Sequence, residues 1–75
     1  MYLKRLKDLR EDKDLIQKDI AKLLKTTQAQ YSRYENEERY MPIYHLETLA
    51  IFYNTSIDYI VGLTNIKEPY KRREK

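Results

Sequence analysis

Side chains capable of chemistry are unevenly spread along this sequence. Cysteine is absent and His45 is the single histidine. Disulfides, thiolate metal sites, cysteine nucleophiles and histidine clusters are thereby excluded. Asp12/Asp14 and Glu37/Glu38 are carboxylate pairs, but no nucleophile or metal ligand accompanies them and no glycine-rich phosphate loop is present. Solvated charge is the better reading of both. An enzyme is therefore not expected, and neither a metal nor a cofactor. What remains is hydrogen-bonding chemistry. Gln17, Gln28, Gln30, Ser32, Arg33 and Asn36 crowd into positions 17–36. A carboxamide offers a donor and an acceptor side by side, and a guanidinium offers a planar fork of donors.

The elements that must hold these groups are short helices. One glycine and two prolines leave few breakers, and strand-like alternation is nearly absent. Residues 2–12 form the first expected helix, with Tyr2, Leu3, Leu6 and Leu9 on one face. The second spans 17–24, burying Ile20, Ala21 and Leu24. Ile16 stands where a capping hydroxyl belongs, which forfeits roughly 1 kcal/mol unless Asp14 reaches forward. The third spans 27–35. Its opening, Thr27-Gln28-Ala29-Gln30, fits a capping box. Only Lys25-Thr26 and the Thr27 cap separate the second and third helices, so they must meet steeply, as a helix-turn-helix. Pro42 suits the start of a fourth helix, 43–53. Thr55 or Ser56 caps a fifth, which runs to about Val61 and ends at Gly62.

Charge says little in bulk and more in detail. The net charge is +3. Residues 1–66 hold ten basic and ten acidic side chains, so residues 67–75 carry the whole excess. A claim of nucleic-acid binding must therefore rest on where charges sit. Residues 65–75 read as a basic, mobile tail. No apolar run suffices for a membrane span, and the N-terminus lacks the apolar stretch of a signal peptide. The cytoplasm is the expected compartment, with no membrane partner. Met1 and the short tail fit a whole protein.

The run Gln17-Lys-Asp-Ile-Ala-Lys-Leu-Leu, the turn, Gln28-Ala-Gln-Tyr-Ser-Arg-Tyr-Glu35-Asn, then Pro42 and Leu46-Glu-Thr-Leu-Ala resemble the Cro/repressor-type (xenobiotic-response-element-like) helix-turn-helix family. Tyr53-Asn-Thr-Ser-Ile-Asp-Tyr-Ile-Val-Gly-Leu-Thr64 resembles that family's fifth helix and its end. The resemblance covers residues 3–64. It implies an all-α, compact five-helix domain of the phage-repressor DNA-binding type over residues 1–64, with the third helix in the major groove and the second across the backbone. It also suggests a bacterial or phage origin.

The side chains suit that role. A glutamine amide matches adenine N6 and N7, and an arginine fork matches guanine O6 and N7. Gln28, Ala29, Gln30, Ser32 and Arg33 are the expected base readers, Ala29 through a thymine methyl. Gln30 is partly occupied by capping, and Arg33 reads equally as base reader, phosphate contact or plain surface charge. Gln17, Lys18, Thr27, Asn36 and Arg39 are the expected phosphate contacts, Gln17 also bracing Gln28. Lys4, Arg5 and the tail add sequence-independent attraction. The resemblance pairs Arg10 with Glu35 in a salt bridge that fixes the third helix. Tyr31 and Tyr34 read as core, and His45 as a boundary residue.

Two departures from the family stand out. Glycine is usual after the second helix and after the Glu-Asn that ends the third; this chain has Lys25 and Glu37. A left-handed backbone there costs roughly 1 kcal/mol per non-glycine residue, unless Asn36 takes the left-handed role instead. Glu37-Glu38 also opposes a phosphate near the loop, unless both carboxylates turn away toward Arg39.

The leading expectation is a sequence-specific DNA-binding transcriptional regulator, a repressor that occupies a palindromic operator as a homodimer. The fifth helix and its flank would supply the dimer contacts, with Ile57, Tyr59, Ile60, Val61 and Ile66 as candidates. The alternative is an antitoxin or other protein-interaction module, in which the C-terminal tail binds a protein partner.

Overall fold

A computed structural model describes residues 3–71 of the chain. Tyr2, expected on the first helix, and residues 72–75 of the tail lie outside that range, as does the side chain of Lys4. The described residues form five helices: α1 Lys4–Asp12, α2 Gln17–Leu23, α3 Gln28–Glu35, α4 Ile43–Phe52 and α5 Ile57–Ile60. The protein is all-α, with α2 and α3 as the helix-turn-helix. Among the described residues no helix is long and apolar enough to cross a membrane.

The three-residue leucine spacing of α1 puts Leu3, Leu6 and Leu9 into the core, each at most 3% exposed. They meet Ile20, Ala21 and Leu24 from α2, Tyr31 and Tyr34 from α3, Leu46, Leu49 and Ala50 from α4, and Ile60 from α5. Burying one such leucine contributes about 1.5–3 kcal/mol. Met41 joins this core from the loop before α4, where no helical period marks it as buried.

The helix starts follow two chemistries. Thr27 and Ser56 accept the backbone N–H of Gln30 and Tyr59 at 3.1 and 3.0 Å. At α2 the missing hydroxyl is replaced from inside the helix, because the Asp19 carboxylate accepts the Ile16 N–H at 3.0 Å. Asp14 does not supply that cap; its own backbone is left-handed, with φ 56°. Only the hydroxyl half of the box at α3 forms. The Gln30 amide does not return to Thr27 but donates to the Tyr34 hydroxyl at 3.2 Å.

All five helices end in the same way. The residue two beyond each C-cap donates its N–H five residues back: Leu15 to Arg10, Thr26 to Ala21, Glu38 to Arg33, Thr55 to Ala50 and Leu63 to Asp58, at 2.8–3.1 Å. This Schellman closure requires a left-handed residue between. Those residues are Asp14, Lys25, Glu37, Asn54 and Gly62, with φ of 56, 57, 63, 53 and 85°. Glu37, and not Asn36, therefore takes the left-handed place after α3. Asn36 stays at φ −85° as the C-cap.

The chain beyond α5 is drawn back over the domain. Arg5 donates from Nη1 to the Tyr59 and Thr64 carbonyls at 2.7 and 2.5 Å and from Nη2 to Asn65 Oδ1 at 2.7 Å. Its guanidinium also stacks 4.0 Å from the centre of the Tyr59 ring. Further on, Thr55 Oγ1 donates to the Lys67 carbonyl and the Tyr70 hydroxyl donates to Asp58. That last bond pushes the Tyr70 phenol above its ordinary pKa.

Candidate nucleic-acid interface

The turn between α2 and α3 is closed by the Thr26-to-Ala21 and Lys25-to-Lys22 backbone bonds. Among the described residues, α2 and α3 pack against each other more extensively than any other pair of helices. Tyr31 and Tyr34 anchor α3 from below, at 0% and 4% exposure. With 3.6 residues per turn, their burial fixes the direction in which every other α3 side chain projects. Ala29, Arg33 and Asn36 face directly away from the core. Gln28 and Ser32 sit along one shoulder of that face, and Gln30 lies on the other, against Tyr34.

A polar hub locks α3 in this orientation. Arg10 Nε donates to Glu35 Oε2 at 2.8 Å and Nη2 to Oε1 at 3.1 Å, a bidentate fork. Arg10 Nη1 also holds the Leu15 carbonyl at 2.9 Å. The two side chains are only 11% and 4% exposed. Gln17 Nε2 donates to Glu35 Oε1 at 3.1 Å. One carboxylate thereby joins α1, α2 and α3. Burial by itself would raise the Glu35 pKa, but the bonds it accepts, chiefly from Arg10, hold it below the ordinary carboxylate range. The same bond raises Arg10. Both stay charged at neutral pH.

Two phenols lie deeper still. The Tyr31 and Tyr53 hydroxyls are buried without a well-formed hydrogen bond. Burial pushes both phenols far above their ordinary pKa, and the nearby Glu35 charge adds to it. His45 packs edge-on against Tyr34 and Tyr44, and burial lowers its pKa.

The candidate contacts divide by what already engages them. Gln28, Ala29 and Arg33 are exposed, and among the described residues no carboxylate lies within ion-pair distance of Arg33. Gln30 is turned aside onto Tyr34. Asn36 Nδ2 donates to Ser32 Oγ at 3.3 Å, so those two brace each other. Thr27 Oγ1 is the acceptor of the α3 cap, which leaves its hydroxyl proton available. Gln17 donates into the hub and not to Gln28, because a buried carboxylate is the stronger acceptor. Lys18, Arg39, Glu37 and Glu38 are all exposed, and neither glutamate pairs with Arg39.

Two sequence expectations change here. Ile60 is fully buried in the core and cannot serve as a dimer contact without unpacking α5. Ile57, Tyr59 and Val61 are half-buried against that core, whereas Ile66 is 65% exposed. Arg5 is not a free cation for DNA; its donors are spent on the chain after α5. Its structural role went unread in the sequence because its acceptors lie 54–60 residues away and two of them are backbone carbonyls.

A family model described as helix-turn-helix matches residues 6–60, and the chain belongs to that family. The uncharacterized HTH-type transcriptional regulator YobD of Bacillus subtilis (strain 168) is similar to it, at 35% identity over 74 residues. That alignment takes in 99% of this chain and 66% of the relative. No solved structure matches the chain.

Proposed function

We propose that this chain is a sequence-specific DNA-binding transcriptional regulator that enters the major groove with α3 and represses by occupying its operator. The observation that carries this reading is the outward row on α3. Gln28, Ala29 and Arg33 are exposed on a helix whose orientation is fixed by the Arg10–Glu35–Gln17 hub. A rigid helix with unengaged polar side chains suits base edges, since recognition loses affinity when contact groups must first be ordered. Lys18, Thr27, Asn36 and Arg39 flank that row and suit phosphate contacts, which position the protein without reading sequence.

One module of this size touches few base pairs, so the reading includes a homodimer on a palindrome with half-sites about 34 Å apart. Its contact surface is the flank of α5, with Ile57, Tyr59, Val61 and Ile66 as the accessible candidates. The family resemblance and the related HTH-type regulator support the regulatory role. The balanced charge of residues 1–66 implies weak non-specific attraction, so specificity must come from direct contacts.

The test is selection of bound sequences from a random duplex library with the full chain. The reading requires an enriched, inverted-repeat site. Failure to enrich any site would refute direct regulation and would favour a protein partner, as in an antitoxin. Enrichment of a single half-site would refute the dimer alone.

A further inference from the structure

We propose that the groove between α4 and the chain after α5 docks a protein partner through an arginine or lysine side chain flanked by apolar residues. This surface is separate from the candidate DNA face and does not depend on it. Leu46, Leu49 and Ala50 of α4 fill the core. The opposite side of the same helix still carries Ile43, Tyr44 and Ile51, exposed at 61, 62 and 65%. A helix that is apolar on both sides belongs between two packed surfaces, and this chain supplies one of them. Glu47 is the single charged residue of α4. Thr48 adds little polarity, because its hydroxyl turns back onto the Tyr44 carbonyl at 3.0 Å.

Beside this face lies a groove of about 320 Å3. Ala50, Ile51 and Ile57 line it from α4 and α5, and Pro69 and Tyr70 line it from the returning chain. Its hydroxyls are engaged: Thr55 donates to the Lys67 carbonyl, and Ser56 accepts the Tyr59 N–H. Its carboxylates are not neutralised. Glu47 and Asp58 both line the groove, and among the described residues neither has a cation within ion-pair distance. Lys71 also borders the groove without pairing with either. Tyr70 donates to Asp58 Oδ2 at 2.8 Å, which leaves the carboxylate charge uncompensated.

That combination selects the occupant. An apolar lining with anionic groups suits a side chain that has an aliphatic stem and a cationic head. Guanidinium and ammonium groups make short, charge-assisted bonds to carboxylates. The exposed row on α4 asks for more than a free amine. Ile43 and Ile51 lie about 12 Å apart along the helix, so covering both takes a peptide whose apolar residues flank the cation. A second copy packing α4 on α4 fits poorly. Glu47 stands midway between Ile43 and Ile51, so a two-fold antiparallel pairing would set Glu47 against Glu47, and like charges juxtaposed at an interface oppose binding. None of the lining residues belongs to α2 or α3, so occupancy leaves the candidate DNA face uncovered.

The probe is a random peptide library displayed on phage and selected on the full chain. The expected winners carry one arginine or lysine between apolar residues. A synthetic copy of the winner, followed by fluorescence anisotropy, is expected to bind about tenfold more weakly to Glu47→Gln or Asp58→Asn, and about fivefold more weakly to Ile51→Ala. Glu47→Lys is expected to lose that peptide and to accept its counterpart with glutamate in place of the cation. Glu47 is exposed and Asp58→Asn keeps an acceptor for Tyr70, so the fold should survive both, as an unchanged urea midpoint would verify. Winners without a cation, equal affinity for Glu47→Lys and the wild type, or no winner at all would each overturn the proposal. Enrichment only when Arg72→Ala and Arg73→Ala are combined would make the chain's own tail the occupant. Self-association abolished by Glu47→Lys would make it a second copy. Either of those results overturns the protein partner.

Discussion

The left-handed residue after α3 offers a quantitative test of how this chain is built. Glu37 sits at φ 63°, between the two backbone bonds that close the helix. A side chain in that conformation costs about 1–2 kcal/mol through contact of Cβ with the following carbonyl. Glycine removes the clash but returns about 0.4–1 kcal/mol to the unfolded chain as entropy. Glu37→Gly should therefore gain about 0.5–1 kcal/mol from the backbone. It also removes an anion from the negative end of α3, which adds about 0.3 kcal/mol at an exposed site. Lys25→Gly has the same backbone gain, with φ 57° at the end of α2, but discards a favourable cation there. The expected order is Glu37→Gly, then Lys25→Gly, then wild type. At about 1 kcal/mol, a domain of this size should gain roughly 4–8 °C in Tm. Urea unfolding followed by far-ultraviolet circular dichroism measures it, as a higher midpoint at constant m value. Glu37→Gln separates the terms by removing charge alone. If Glu37→Gly is no more stable than Glu37→Gln, the left-handed strain is not there.

Other expectations follow from the same geometry. Arg5→Ala should cost about 2 kcal/mol, since three charge-assisted bonds and a ring stack are lost, and hydrogen exchange should quicken at residues 63–67; unchanged exchange there would remove Arg5 as the anchor. Glu35 is held below its unfolded pKa of about 4.3, so it contributes stability above that pH, and the contribution is lost as pH falls toward and through the lower folded value. Glu35→Gln should flatten the urea midpoint across that acid range while lowering it at neutral pH; a profile as steep as the wild type would assign the effect to another carboxylate. Tyr53→Phe should be neutral or stabilising by up to about 1 kcal/mol, because its buried hydroxyl has no partner to lose; a clear destabilisation would reveal one. Glu37→Gly with Glu38→Lys should tighten non-specific DNA binding and steepen its salt dependence by about one ion. Unchanged low-salt titrations would place the loop away from DNA.

Much of this molecule was written locally and could be read locally. The leucine period of α1, the Thr27 and Ser56 caps and Gly62 each announce an element through its own few residues. The helix-turn-helix followed from the shortness of its turn. What escaped depends on convergence of distant segments. The direction of Gln17 is set by a carboxylate eighteen residues away, and Arg5 works on the far end of the domain. Ile60 reads like Ile57 in the sequence, but in a single-turn helix one residue faces the core and its neighbour three positions earlier lies at the rim. Lys25 and Glu37 carry no compositional mark of a left-handed backbone; the departure from glycine showed where strain would sit, and only the backbone angles showed that it does.

The central claim is that DNA meets the outward face of α3 and the start of α2. The most direct measurement is a nuclear magnetic resonance titration of the isotopically labelled chain with the selected duplex, or with a random duplex of similar length at low salt. The account predicts that the largest backbone amide shifts fall on Gln17, Lys18 and residues 27–33, with small changes at Tyr44, Ile51 and Tyr70. Shifts concentrated on α4 and the segment after α5, with α3 unmoved, would contradict it.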